Sequence, residues 1–251
     1  MHDDAFHSSY QHTLAGAVSC SGVGLHGGQH VNLTLRPAET GSGIVFTRSD
    51  APQGKNQIAA SYLNIAETTL GTTLVNAEGV SVSTVEHLMA ALWGMGIDNA
   101  VVELDGLEVP IMDGSSEPFV FLIECAGVRR QAVRREVIEV LRPVEVRDGD
   151  SYARIEPYDG FSLQVEIDYD HALLKRQRAL FDFSQAGFKQ TLSRARTFGF
   201  ARDVDQLQAK GLARGGSLDN AVVIGEEDIL NKGGLRYRDE CIRHKALDCV
   251  G

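Results

Sequence analysis

The sequence has no cysteines at metal-clip spacing, no excess of positive charge and no long apolar run, and each absence removes a class of function. Its four cysteines, Cys20, Cys125, Cys241 and Cys249, lie far apart except for the last two. None forms the paired spacing of a structural zinc site, so reduced thiols and a cytoplasmic location are expected. No apolar stretch approaches the ~20 residues that a membrane-spanning helix needs, and the opening Met1-His2-Asp3-Asp4 lacks the positive flank and apolar run of a signal peptide. Acidic residues outnumber basic ones, 34 to 24, and the formal charge of -10 repels phosphate backbones and anionic lipid surfaces. The expected partner is therefore a small polar molecule, with no nucleic acid and no stable membrane insertion. A His-Glu-x-x-His helix is also missing, because Ala91 stands four residues after His87, which excludes a zincin protease.

What is present is a chain of 251 residues, 43% of them apolar, enough for one large domain or two small ones. The first twelve residues show no period and are expected to form a loose tail with incidental histidines. Two-residue alternation predicts strands over 31–35 and 43–47. From 83 to 95 the period changes: Val85, Leu88, Met89, Leu92 and Met95 recur at helical spacing. A strand over 100–104, a turn around 110–116 and a second helix near 119–126 follow. The basic run from Val128 to Arg135 reads as a boundary, after which strands return over 137–146, 152–155 and 161–167. Helices are then predicted around 183–193 and 203–210, a strand over 221–224 and a last helix from about 239. Strands then helices, twice over, predict an α+β fold of two similar domains, 13–130 and 136–251. Each would carry a small, mostly antiparallel sheet and a helical layer, with the helices packed face to face between the sheets.

Gly22-Val23-Gly24-Leu25-His26-Gly27 fits the dinucleotide-binding glycine pattern, but a strand follows it where that fingerprint must open a helix, so a Gly-rich hairpin turn is expected. At about 100° per residue, His87 falls roughly opposite the apolar stripe of its helix. Its neighbour Glu86 has two readings: a proton acceptor, or the third-position partner of Ser83 in a capping box. In the last helix, His244 and Asp248 share the face opposite Ile242, Ala246, Cys249 and Val250. Alone, such a pair reads as a surface hydrogen bond. Joined by His87, it offers the two imidazoles and one carboxylate of an open catalytic zinc site, beside which Glu86 stands as general base.

These residues lie in a series of collinear words: Gly22-Val23-Gly24-Leu25-His26, Ser83-Thr84-Val85-Glu86-His87, Gly96-Ile97-Asp98-Asn99, Pro110-Ile111-Met112-Asp113-Gly114-Ser115, Ala195-Arg196-Thr197-Phe198-Gly199 and Arg243-His244-Lys245-Ala246-Leu247-Asp248. Through them the chain resembles the UDP-3-O-acyl-N-acetylglucosamine deacetylases, zinc amidohydrolases of lipid A synthesis, along nearly its whole length after the tail. The resemblance implies that His87, His244 and Asp248 hold Zn2+ and that Glu86 is the general base. It also implies that Thr197 stabilises the tetrahedral oxyanion and Lys245 contacts the polar substrate. Phe198, Val204, Ala213, Gly216, Ser217 and Ala221 would line the acyl-chain passage, with Leu70 and Gly71 near its mouth. The expected substrate is UDP-3-O-acyl-N-acetylglucosamine, deacetylated by a monomer.

The resemblance also carries a departure. Members of the family continue past the position of Gly251 with a segment that holds a second catalytic histidine, so the sequence is read as a fragment or a C-terminally truncated form. The alternative reading is a noncatalytic or weakly active nucleotide-sugar-binding fragment, and the turn that carries Asp248 is expected to fray.

Overall fold

The computed structural model describes residues 8–183 and 187–251. Its first strand, β1 (Tyr10–Leu14), departs from expectation, since the sequence predicts a loose tail that includes Tyr10, Gln11 and His12. Three bonds hold that end: the His12 amide donates to Asp98 Oδ2 at 2.7 Å, and the His12 carbonyl accepts from the Asp98 and Asn99 amides. His2 and His7 fall outside the described residues.

In β2 (Val18–Val23) and β3 (His30–Pro37), Val31, Leu33 and Leu35 are buried while their neighbours face solvent, as two-residue alternation requires. The glycine-rich residues between the two strands form the expected turn, with Gly28 at φ 67°. Next come β4 (Ile44–Arg48), β5 (Gln57–Ala59), β6 (Ile65–Glu67), β7 (Thr73–Val75) and β8 (Ser81–Ser83), then α1 (Glu86–Gly94), β9 (Ala100–Leu104), α2 (Glu117–Ala126) and β10 (Val128–Arg134). A five-stranded sheet in the order β2-β3-β9-β4-β5 is antiparallel except where β4 runs parallel to β9. Its inner face (Leu33, Leu35, Phe46, Val102, Leu104) shares one core with Leu88, Ala91 and Leu92 of α1 and Phe119 and Ile123 of α2.

The helix expected from Ser83 starts three residues later. Ser83 is the last rung of the β7–β8 ladder, and Thr84, at φ 57°, turns the chain before Val85 caps α1 without a side-chain bond. The Ser83–Glu86 capping box therefore does not form. The basic run, read as a boundary, is itself a strand: β10 pairs antiparallel with β1, and Arg135 Nε donates to Asp98 Oδ1 at 2.7 Å. Residues 135–143 carry no regular element, so the strand expected from 137 begins only at Val144.

Beyond lie β11 (Val144–Asp148), β12 (Ser151–Ile155), β13 (Ser162–Ile167), β14 (Gln177–Asp182), α3 (Phe188–Thr191), β15 (Phe198–Phe200), α4 (Val204–Ala209), β16 (Val222–Ile224) and α5 (Glu240–Val250). These strands pair in twos, β11-β12 and β13-β14 antiparallel and β15-β16 parallel. The class is α+β, with small sheets and few helices. Its two halves are joined where α5 packs along α1 and against β13 and β14. Beside that seam the Trp93 indole lies 5.1, 5.2 and 6.1 Å from the rings of Phe161, Phe183 and Phe188. Helix α5 runs to Val250, and its last turn rests on the first turn of α1: a Cβ on Gly251 would lie 2.0 Å from the Glu86 carbonyl oxygen.

The same close packing sets a prediction at Gly94, where an added Cβ would meet Phe188 Cδ1 at 2.1 Å. In an exposed helix interior, Gly to Ala stabilises by about 1 kcal/mol. Here Gly94→Ala should instead destabilise by about 1–3 kcal/mol through overpacking. Denaturant unfolding of the two proteins checks the sign.

Candidate metal centre

Helix α1 is amphipathic towards its own sheet, which accounts for Leu88, Ala91 and Leu92 but leaves His87 off that stripe. The opposite side of α1 is covered by α5, so His87 is 3% exposed. The Ser116 hydroxyl, at the start of α2, donates to the His87 carbonyl at 2.7 Å and fixes the turn. On α5, His244 and Asp248 stand one turn apart and face the same seam. His87 Nε2 lies 3.8 Å, and His244 Nε2 3.3 Å, from Asp248 Oδ1, with the two rings edge to face at 4.8 Å.

The protonation of His244 follows from its partner. Its Nδ1 is 3.0 Å from the Ala195 carbonyl oxygen, which can only accept, so Nδ1 carries the proton and Nε2 presents a lone pair. Asp248 Oδ2 accepts from Lys245 Nζ at 2.8 Å, whereas Oδ1 is buried without a hydrogen-bond partner. A lone-pair nitrogen facing an unsatisfied carboxylate oxygen is unfavourable in a buried site unless a cation lies between them. The ligand atoms of His87, His244 and Asp248 all fall within 4.8 Å of one another, and two imidazoles with one carboxylate fit a divalent metal ion.

Glu86 precedes His87 and is 8% exposed. Its Oε2 accepts from the Thr72 amide at 2.9 Å, so the side chain is held by the strand region opposite it and not by Ser83. A Cβ on Gly71 would sit 3.3 Å from Glu86 Oε1, so Gly71 lets the chain pass close to the carboxylate. Leu70, mostly exposed and at φ 59°, offers its carbonyl to His26 Nε2 at 3.1 Å.

Among the remaining residues named from the sequence, Thr197 is pinned by its backbone between Gly114 (2.7 Å) and Val222 (2.8 Å). Phe198 lies alongside α5, its ring 6.5 Å from the His244 ring and 5.5 Å from Lys245 Nζ. Ala213 (φ 53°) places its amide 3.4 Å from His26 Nδ1, and the turn through Gly216, Ser217 and Ala221 follows it. Val204 opens α4, half-buried, with no hydrogen bond or ring contact to the others.

Sequence reasoning did not single out His26 from its motif, yet the structure sets it beside two of the residues named from the sequence. His26 joins Leu70, beside Glu86, to the Ala213 turn. Glu108, also missed, accepts from the His26 and Gly27 amides and from the Thr84 hydroxyl at 2.9–3.1 Å, tying this loop to the left-handed residue that launches α1. No motif marked Glu108, since its partners lie 24 to 82 residues away.

The chain is similar to known proteins along nearly its whole length. The sequence pattern of the family described as UDP-3-O-acyl N-acetylglycosamine deacetylase matches residues 11–251. Proteins named UDP-3-O-acyl-N-acetylglucosamine deacetylase from Shewanella baltica (strain OS155 / ATCC BAA-1091) and from Shewanella sp. (strains W3-18-1 and ANA-3) are each 48% identical to it over 244 residues, covering 96% of this chain and 79% of each relative.

Burial also sets the charge states. It pushes the His87 imidazole down to about 4, helped by the neighbouring His244, and lowers His244 as well, against the pull of Asp248. Burial would raise Asp248, but His244, Lys245 and His87 outweigh it and hold the carboxyl below its usual value. Because His87 titrates lower in the fold than in the unfolded chain, the unfolded chain binds more protons between pH 6.5 and 4. Its share of stability is full above pH 6.5 and lost as pH falls through that window, on the order of 3 kcal/mol. Glu86, raised chiefly by burial, titrates in the opposite sense. The histidine's share is therefore the difference between two proteins: metal-free wild type should lose about 3 kcal/mol more than His87→Gln between pH 7 and about pH 4 in denaturant melts. Parallel pH curves would show that His87 is not a buried neutral imidazole.

Proposed function

This chain belongs to the UDP-3-O-acyl N-acetylglycosamine deacetylase family, and on that premise we propose that it hydrolyses the N-acetyl group of UDP-3-O-acyl-N-acetylglucosamine, the committed step of lipid A synthesis. The observation that carries this reading is the buried, unsatisfied Asp248 Oδ1 facing the lone pair of His244 beside His87. We assign Zn2+ to these three residues; a bound zinc ion supplies Lewis acidity and brings the pKa of a water to about 7.

Glu86 is the general base of this scheme. Its Oε2 is committed to the Thr72 amide, which leaves Oε1 to take the proton of the attacking water, and burial raises its affinity for that proton. Thr197 donates its hydroxyl to the oxyanion as charge develops, from a backbone fixed at both neighbouring segments. Lys245 stays charged, because Asp248 outweighs the cost of its burial, and it meets the polar part of the substrate over the Phe198 ring. From Phe198 the aromatic contacts continue through Tyr169 at 5.8 Å to an open polar cavity of about 510 Å3, lined by Lys175 and Arg202 together with Asp168, Asp170 and Glu226. Phe198, Val204, Ala213, Gly216, Ser217 and Ala221 form the wall for the acyl chain in this reading, with Leu70 and Gly71 at its mouth. All four cysteines are unpaired, in keeping with a cytoplasmic site of action.

Zinc-loaded protein is expected to release acetate from the acylated nucleotide-sugar. Glu86→Gln retains an oxygen for the Thr72 amide, so it should keep its Tm while turnover falls ~100- to 10,000-fold. Retained turnover would remove Glu86 from the chemistry. His87→Ala should lose the single bound zinc ion, and metal analysis that finds zinc unchanged rules out the ligand set.

A further inference from the structure

We infer that Glu240 is a positioning residue for the metal site, acting on His244 through one peptide group. This rests on His244 being a ligand, as proposed above. Glu240 lies one turn before His244 on α5 and is fully buried. Its Oε1 accepts from the Arg196 backbone amide at 3.0 Å and from Arg196 Nε at 2.9 Å. Its Oε2 accepts from the Arg236 amide at 2.6 Å and from Arg196 Nη2 at 3.2 Å.

The Arg196 amide and the Ala195 carbonyl are the two ends of the same planar peptide unit, and in a trans peptide they point in opposite directions. One end meets the Glu240 carboxylate and the other meets His244 Nδ1 at 3.0 Å. Two residues one helical turn apart thus grip a single peptide bond from a different segment. The contact with an anion is charge-assisted, and hydrogen bonds in series polarise one another. Electron density shifts towards the Ala195 carbonyl, which holds the Nδ1 proton more firmly and leaves Nε2 the stronger donor to a metal. A histidine ligand usually leans on a carboxylate or carbonyl directly; here the carbonyl is in turn backed by a buried carboxylate.

A plain ion pair between Glu240 and Arg196 would explain the burial but not the peptide contact, and the two roles separate by mutation. Arg196→Met removes the guanidinium but cannot remove the backbone amide. Glu240→Gln removes the charge facing that amide. The double variant removes both charges, and a buried pair replaced by neutral groups is tolerated far better than one left half-broken. Zinc affinity is measured by competition with a chromophoric chelator, alongside Tm and the His244 Nδ1 proton resonance of the metal-free, 15N-labelled protein. The expectation is that Glu240→Gln and the double variant each bind zinc about 10-fold or more weakly. Both should shift the Nδ1 proton upfield, whereas Arg196→Met loses Tm but keeps affinity and resonance. Wild-type affinity in the double variant, or affinities that simply follow Tm across the three, overturns the inference. His244→Ala is the reference: it should abolish binding, and unchanged zinc there would take down the ligand reading and this inference with it.

Discussion

The contact between α1 and α5 is the constraint on which the site depends. Each helix has one face that its own half of the chain satisfies and a second face that it does not. On that second face α1 carries Glu86 and His87, and α5 carries His244 and Asp248. Bringing them together buries two imidazoles and a carboxylate, an arrangement that opposes folding unless the charges and lone pairs find partners. The surroundings supply some of these: Lys245 for one Asp248 oxygen and the Ala195 carbonyl for His244. What they leave over, the unsatisfied Asp248 Oδ1 beside the imidazoles of His87 and His244, is the donor set proposed above for a divalent metal ion. Under that proposal the site is costly by itself and stabilised by its ion, so metal affinity and fold stability would be two readings of one free energy.

The precision of the seam comes from buried carboxylates that work on backbone rather than on substrate. Glu108 fixes the His26 loop and the left-handed Thr84, and thereby the point at which α1 starts. Glu240 fixes the segment that carries Thr197 and Phe198 against α5. Both make several hydrogen bonds to groups distant in sequence, which is how a charged side chain is retained in an interior. The site is thus held by two independent clamps, one for each helix.

Much of this was legible in the sequence, for identifiable reasons. Periodicity is local, so β3, β9 and α5 were read nearly as they stand, and His244 with Asp248 could be seen to share a face. Facts that depend on pairing across long separations were not legible. The tail was misjudged at Tyr10–His12 because the partner of β1 is β10, more than a hundred residues on. That the basic run is a strand was hidden because its partners, Tyr10 for Arg130 and Asp98 for Arg135, come from elsewhere in the chain. Ser83-Thr84-Val85-Glu86 has the composition of a capping box, but the β7–β8 ladder claims Ser83 and the Thr72 amide claims Glu86. A helical wheel placed His87 away from the sheet-facing stripe and could not reveal that α5 covers that other side. Spacing alone left His244 and Asp248 open to a surface hydrogen bond; the inventory completed by His87 suggested zinc, and the family resemblance implied the same ligand set.

The central claim is that one metal ion is held by ligands from both halves of the chain. Zinc-edge X-ray absorption of the stoichiometrically loaded protein measures this directly. The account predicts two imidazole nitrogens at about 2.0–2.1 Å and a carboxylate oxygen at about 2.0–2.2 Å. A sulfur shell at about 2.3 Å, which would bring in Cys241 or Cys249, or a spectrum with a single imidazole, would contradict it.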